Sequence, residues 1–321
     1  MTDEKIALFS VPGLDEAGPH SSNRLSSRAT LDEAIVEFKR HMEQRDLSAH
    51  TVKSFQYDLN ILSDYLGKRR AVGDIALHDL KQFVDWLQHR RNVPCNVKSL
   101  ARRITTLKVF FGWLAESDVL PADPAAPLIQ VQFSTPLPDI LHDEQVEQLL
   151  ATTHMLRQAD PQDAGGRKPD ARPHVLVSLV LVTGIKKGEC TNIVLNHLDF
   201  SDEGHPAVWI RYADPRYRLK ERKLKLDPAW PHALEEYKTQ YKIGDHVFPC
   251  TARNLEYVLA DTGRLAGLTK QVSFEMLRWT CAVRDLRAGM APDELRRKLG
   301  LSKITWREAG DKIARLAAPA V

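Results

Sequence analysis

The residues in this chain that invite chemistry are its clustered cations. Between Arg211 and Lys225 stand Arg211, Arg216, Arg218, Lys220, Arg222, Lys223 and Lys225, against only Asp214 and Glu221. A hairpin with that excess presents a surface to an anion, and a phosphate backbone is the obvious one. A second cluster lies in the first half. Lys98, Arg102, Arg103 and Lys108, with Thr105 and Thr106 among them, are spaced to share the helix face opposite an apolar stripe. Basic and small polar groups on one helix face suit a DNA groove. Each cluster also reads as a plain solvated face, but two of them in separate halves favour a nucleic-acid partner. Nucleophilic chemistry is harder to place. Ser302 and Thr305 carry hydroxyls, yet the last histidine is His246 and the last tyrosine Tyr257. No nearby imidazole is available as their base. Cys95, Cys190, Cys250 and Cys281 lie far apart with no CxxC pair, so no metal site and no cofactor are expected.

The elements that must position these groups follow from periodicity. Residues 1–30 are rich in Gly, Pro and Ser without a period and read as a flexible arm. Thr30 and Glu33 then form a capping-box signature. Behind it Leu31, Ala34, Ile35, Phe38 and Met42 fall at helical spacing. Ser48 caps a second helix with Val52, Phe55, Leu59 and Leu62 on one face. A third carries Leu80, Phe83, Val84 and Leu87, and a fourth Leu100, Ile104, Leu107, Phe111 and Leu114. Four short amphipathic helices over 31–120 predict a compact all-α domain. The stretch 121–140 holds five prolines and almost no charge, the composition of a stiff linker. From 141 to 321 the reading is mixed. A helix is expected at about 142–153, and the apolar run 174–183 is helix or strand. Residues 207–213 and 222–226 read as strands, and the rest from Pro228 is mostly helical.

Bulk properties narrow the class. With 321 residues, 43% of them hydrophobic, the chain can build two ordinary cores. Its formal net charge is only +3, so a DNA-binding claim rests on the local clusters. Unpaired cysteines, no basic leader and no apolar run long enough to span a bilayer point to a cytoplasmic protein without a membrane partner.

Three boxes in the second half carry a resemblance. LVTGIKKGEC (181–190), SFEMLRWTCA (273–282) and ELRRKLGLSKIT (294–305) occur in the order and spacing of the tyrosine recombinase, or phage integrase, boxes. In the first half LSAHTVKSFQYDLN (47–60) and RRITTLKVFFGWLAESDVLPADPAAPL (102–128) resemble that family's helical core-binding domain. The resemblance covers about 31–310. It implies a mainly α fold with a small β-sheet: an N-terminal helical core-binding domain and a C-terminal catalytic-type α+β domain that clamp DNA.

The family's reaction is phosphoryl transfer. A tyrosine attacks a DNA phosphate while two arginines, a hairpin lysine and histidines manage charge and protons. Carried over residue by residue, the first arginine falls on Lys186, which keeps charge but loses the bidentate fork. The hairpin lysine falls near Arg216 or Tyr217, with Lys220 the nearest lysine. The first histidine falls on Glu275, the second arginine on Arg278, the second histidine on Leu301 and the tyrosine on Gly310. Arg278 is then either a phosphate contact or a structural ion pair with Glu275 or Glu189. The resemblance thus implies a catalytically inactive, sequence-specific double-stranded DNA-binding protein. Its DNA contacts would come from Lys186 and Arg278 together with the two basic clusters. It would be an accessory factor in recombination or a transcription regulator, self-associating or working beside active recombinases. The alternatives are a subunit that cuts only with a tyrosine donated in trans, and a protein-interaction module that has lost DNA. Ile313 and Leu316 would anchor the C-terminal segment on a neighbouring subunit.

Overall fold

The computed structural model describes residues 25–130, 136–159, 168–202 and 204–318. Most of the expected N-terminal arm, residues 1–24, lies outside the described residues. Its last residues are not free: Val72 and Gly73 donate backbone hydrogen bonds to Ala29 and Ser27. The chain divides into two compact units, the first ending at Thr135 and the second beginning at Pro136.

The first unit is built of α1 (Leu31–Gln44), α2 (Ala49–Leu66), α3 (Leu77–Asp85) and α4 (Val97–Glu116). Both anticipated caps form: Thr30 and Glu33 bond reciprocally, and Ser48 accepts from the Thr51 N–H. α3 runs on into a π-helical turn over Trp86–Arg90. The apolar stripes meet in one core in which Phe38, Leu59, Leu62, Leu80, Phe110 and Phe111 are fully buried. Each such side chain contributes roughly 1.5–3 kcal/mol relative to exposure. Ala125 and Leu128, within the stretch read as linker, are buried in this core as well.

The second unit contains α5 (Asp143–Arg157), α6 (Arg172–Thr183), α7 (Lys187–Thr191), α8 (Trp230–Tyr241), α9 (Ala252–Leu265), α10 (Phe274–Arg287), α11 (Pro292–Lys298) and α12 (Lys303–Ala317). α6 resolves the ambiguous apolar run as a helix. It has no polar face because α5, α8, α9 and α10 pack around it, the reason periodicity could not identify it. A three-stranded antiparallel sheet, β1 (Leu198–Asp199), β2 (Ala207–Ile210) and β3 (Arg222–Lys225), stands in the order β1-β2-β3. The β2–β3 ladder stops at the Ile210↔Arg222 pair. The expected strand 207–213 is therefore shortened. Asp214 caps a 3₁₀ turn over Pro215–Lys220 between the two strands.

α12 packs on its own unit. Ile313 is buried with Ala282, Val283, Leu295 and Leu299. Arg287 ties the helix end by donating to the Leu316 carbonyl at 3.0 Å and the Ala317 carbonyl at 3.3 Å. Ile313 is thus spent inside the chain, which corrects its reading as an anchor on a neighbour. Among the described residues no helix is long and apolar enough to cross a membrane.

Candidate nucleic-acid interface

In the first unit the basic face of α4 is only partly a face. Asp58 of α2, 2% exposed, accepts from both terminal nitrogens of Arg102, at 2.5 and 2.8 Å. It also accepts from Arg103 Nε at 3.3 Å and from the Thr106 hydroxyl at 3.0 Å. Burial pushes the Asp58 carboxyl up, against the pull of Arg102, Thr106 and Arg103. The placing of Arg103 and Thr106 on a solvent face is therefore corrected: both are buried, and they satisfy an acid that helix periodicity in α4 alone does not reveal. Arg102 is half-buried in the same network. Thr105 is half-buried and back-bonds to the Ala101 carbonyl, and Lys108 reaches the Ala126 carbonyl at 3.2 Å. Lys98 is exposed and makes no side-chain hydrogen bond or ion pair among the described residues. A signal for the network did exist: Asp58 sits three residues after Phe55 and beside Leu59, on the inner face of α2. Asp58→Ala leaves Arg103 buried without its counter-ion and is expected to destabilise the unit by about 3 kcal/mol. A urea titration followed by helix circular dichroism measures it.

In the second unit the hub is Glu189 on α7. Its side chain is 3% exposed and pairs with Arg222, itself 9% exposed, through bonds of 2.9 and 3.2 Å. Glu189 also accepts from the Lys186 N–H at 2.8 Å and from the Tyr212 hydroxyl. Burial alone would raise this carboxyl, but the Arg222 bonds and charge, the Lys186 N–H and Tyr212 outweigh it and hold it below its ordinary range. Arg222 spends its Nε on the Lys298 carbonyl at 2.6 Å. Gly300, at φ +59°, lies so close above the guanidinium that a Cβ there would come within 2.7 Å of Nη1. The reading of Arg222 as a surface phosphate contact is corrected accordingly: it is an internal tie between β3, α7 and the turn after α11. Sequence reasoning singled out Glu189 and Arg222 separately, but missed Tyr212 and the pairing, which joins residues 33 apart.

Around the hub stand the positions of the three boxes. Arg278 of α10 donates to the Gly184 carbonyl and, at 2.6 Å, to the Leu299 carbonyl. It makes no ion pair within 4.0 Å with either Glu275 or Glu189, so the ion-pair alternative gives way to a tie between the end of α6 and the α11–α12 turn. Lys186 is half-buried at the start of α7. Its ammonium has no hydrogen bond or ion pair among the described residues. Burial lowers its pKa; Glu189 opposes this, and Arg278, Lys220 and Arg222 add to it. Glu275 is exposed in the first turn of α10. Leu301 is half-buried and packs with the cluster of Ala282, Leu299 and Ile313. Gly310 lies under the Trp306 indole, which a Cβ would meet at 3.0 Å. In the turn before β3, Arg216 pairs with Asp214 at 2.7 Å, and Lys220 sits 4.7 Å over the Tyr217 ring. Arg218 is exposed, with no side-chain hydrogen bond or ion pair among the described residues.

The structure thus brings Lys186, Glu275, Arg278 and Leu301 to one pocket. The fold and these boxes define an integrase-type chain, and comparison with known proteins agrees. Residues 35–117 match the phage integrase N-terminal SAM-like domain, and 139–306 match the phage integrase family. The chain belongs to the phage integrase family. It is 25% identical over 272 residues to the tyrosine recombinase XerC of Staphylococcus haemolyticus (strain JCSC1435), covering 81% of this chain and 85% of that protein. It is 28% identical over 210 residues to XerC of Roseiflexus sp. (strain RS-1), covering 64% of this chain and 61%, less than two thirds, of that relative. Among solved structures, a lambda integrase dimer bound to a COC' core site aligns with TM-score 0.67 and 13% identity, over 89% of this chain and 79% of that one. XerH recombinase bound to palindromic difH substrate aligns with TM-score 0.64 and 16% identity, over 91% and 88%. These likenesses show a shared fold.

Proposed function

We propose that this chain holds double-stranded DNA on an integrase scaffold without cutting it, as an accessory factor in recombination or as a transcription regulator. The observation that carries the reading is the chemistry at the positions where the family's reacting groups belong. The pocket there offers a lysine, a carboxylate and an aliphatic side chain beside the retained Arg278, and the tyrosine position, next to the lining residue Ala309, is a glycine against Trp306. No hydroxyl there has an imidazole beside it to act as base. The exposed cations Lys98 and Arg218 would meet phosphates. Relatives of the same family are named as recombinases, and the two solved neighbours are bound to a COC' core site and to a palindromic difH substrate, which supports the DNA half of the proposal.

Two measurements test it. A mobility shift with duplex DNA should weaken steeply as salt rises, because phosphate contacts release counter-ions. Lys98→Ala and Arg218→Ala should each lower the salt slope by about one. A nicked suicide substrate should give no covalent protein–DNA adduct. An adduct from this protein alone would sink the non-cleaving reading. An adduct only after adding an intact recombinase would favour a tyrosine donated in trans.

A further inference from the structure

The pocket left by these substitutions is not an empty surface. It encloses about 500 Å³, within the range of small-molecule sites. Its walls are apolar: Phe274 and Trp279 from α10, Leu299 and Leu301 from the turn, Ala309 and Ile313 from α12. Only a few charged groups face it. Lys187 and Glu256 neutralise one another at 2.6 Å, and Glu275 stands exposed at the first turn of α10. That leaves Lys186 and Arg278. The Lys186 ammonium is half-buried with no counter-ion within 4.0 Å; Glu189, the opposite charge that acts on it from farther off, is already paired with Arg222, and Arg278, Lys220 and Arg222 add charge of its own sign. A desolvated, unpaired charge is costly, and a bound anion removes that cost.

We propose that this pocket binds a small organic carboxylate with an aromatic or branched apolar body. The carboxylate would sit on Lys186 and the body against Leu301, Ala309 and Ile313. The geometry disfavours a phosphate as the natural occupant. Each terminal nitrogen of Arg278 already donates to a backbone carbonyl, so Arg278 supplies charge more than a two-pronged grip. A DNA backbone has little apolar surface to fill the walls; Glu275, exposed at the rim, opposes any anion and favours one of single charge held at Lys186. The proposal rests on the non-cleaving reading of this pocket and adds a ligand to it.

The test is titration calorimetry on the full chain without DNA, using phenylacetate, 3-phenylpropionate and indole-3-acetate. At least one should bind one-to-one with a dissociation constant below about 1 mM. Its primary amide should bind at least roughly ten-fold more weakly, and inorganic phosphate should not compete at equal concentration. Lys186→Gln should weaken the acid at least ten-fold. Ala309→Phe, which fills the apolar end, should abolish binding while leaving the circular dichroism unchanged. If no acid binds, if the amide binds as well as the acid, or if Ala309→Phe leaves affinity unchanged, the proposal is overturned. A covalent adduct on nicked DNA would instead remove the non-cleaving reading, an outcome calorimetry without DNA does not touch.

Discussion

Replacing Arg222 with methionine is expected to cost the second unit about 3–5 kcal/mol, the penalty for leaving a buried charge without its partner. Methionine keeps most of the volume, so the loss is electrostatic. Glu189 would stay in a site where it is 3% exposed, with only the Lys186 N–H and the Tyr212 hydroxyl left to hold it. The Lys298 carbonyl would lose a donor as well. Chemical denaturation reads the effect directly. Glu189→Gln should cost less, because the amide oxygen still accepts from Arg222, and Arg222 keeps its bonds to the Lys298 and Lys220 carbonyls.

The pH dependence separates this account from simple loss of packing. Glu189 is held below its ordinary value in the folded chain. Its contribution is therefore fully present above the unfolded carboxylate pKa of about 4.3, and is lost as pH falls through the lower folded value. In Arg222→Met the sign reverses. Burial then dominates, the folded pKa rises above the unfolded one, and protonation on acidification relieves the penalty. The stability gap between the two proteins should be widest near neutrality and narrow toward pH 4. A gap independent of pH would mean that packing, not the ion pair, was lost.

How far the sequence could have foretold these ties depends on how far apart the partners lie. Caps are local, and Thr30, Glu33 and Ser48 were legible because their partners stand three residues away. Arg103 and Thr106 were misread because the acid they satisfy lies 45 and 48 residues back on another helix. Helical spacing gives a face, but not what covers it. α6 defeated periodicity for the opposite reason, being apolar on every side. The boxes around Lys186, Arg278 and Leu301 were legible only through resemblance. In the structure they line one pocket, and the resemblance gives no hint that Arg278 spends itself on two carbonyls. The strand expected at 207–213 reads three residues too long, because the ladder stops at Ile210 and Asp214 opens a 3₁₀ turn.

On the non-cleaving reading, a tyrosine placed at Gly310 alone is expected to give no cleavage. Gly310→Tyr should give no detectable covalent adduct on nicked DNA. A Cβ at this position meets Trp306 Cε2 at 3.0 Å and Nε1 at 3.2 Å, so the indole must give way before a larger side chain fits there. Even a well-placed phenol would face a depleted site. Lys186 lacks the bidentate fork, and losing one preorganised donor typically costs about 10²–10³ in rate. Glu275 and Leu301 supply no proton donor, a further factor of roughly 10²–10⁴ for acid–base help. Groups that act as a unit are not additive, so partial repairs should stay silent until the set is complete. The combination Lys186→Arg, Glu275→His, Leu301→His, Trp306→Ala and Gly310→Tyr is therefore the one expected to trap DNA covalently. If Gly310→Tyr by itself formed the adduct, the lysine, the carboxylate and the leucine would have to be compatible with cleavage. The pocket would then be a recombinase site lacking one residue.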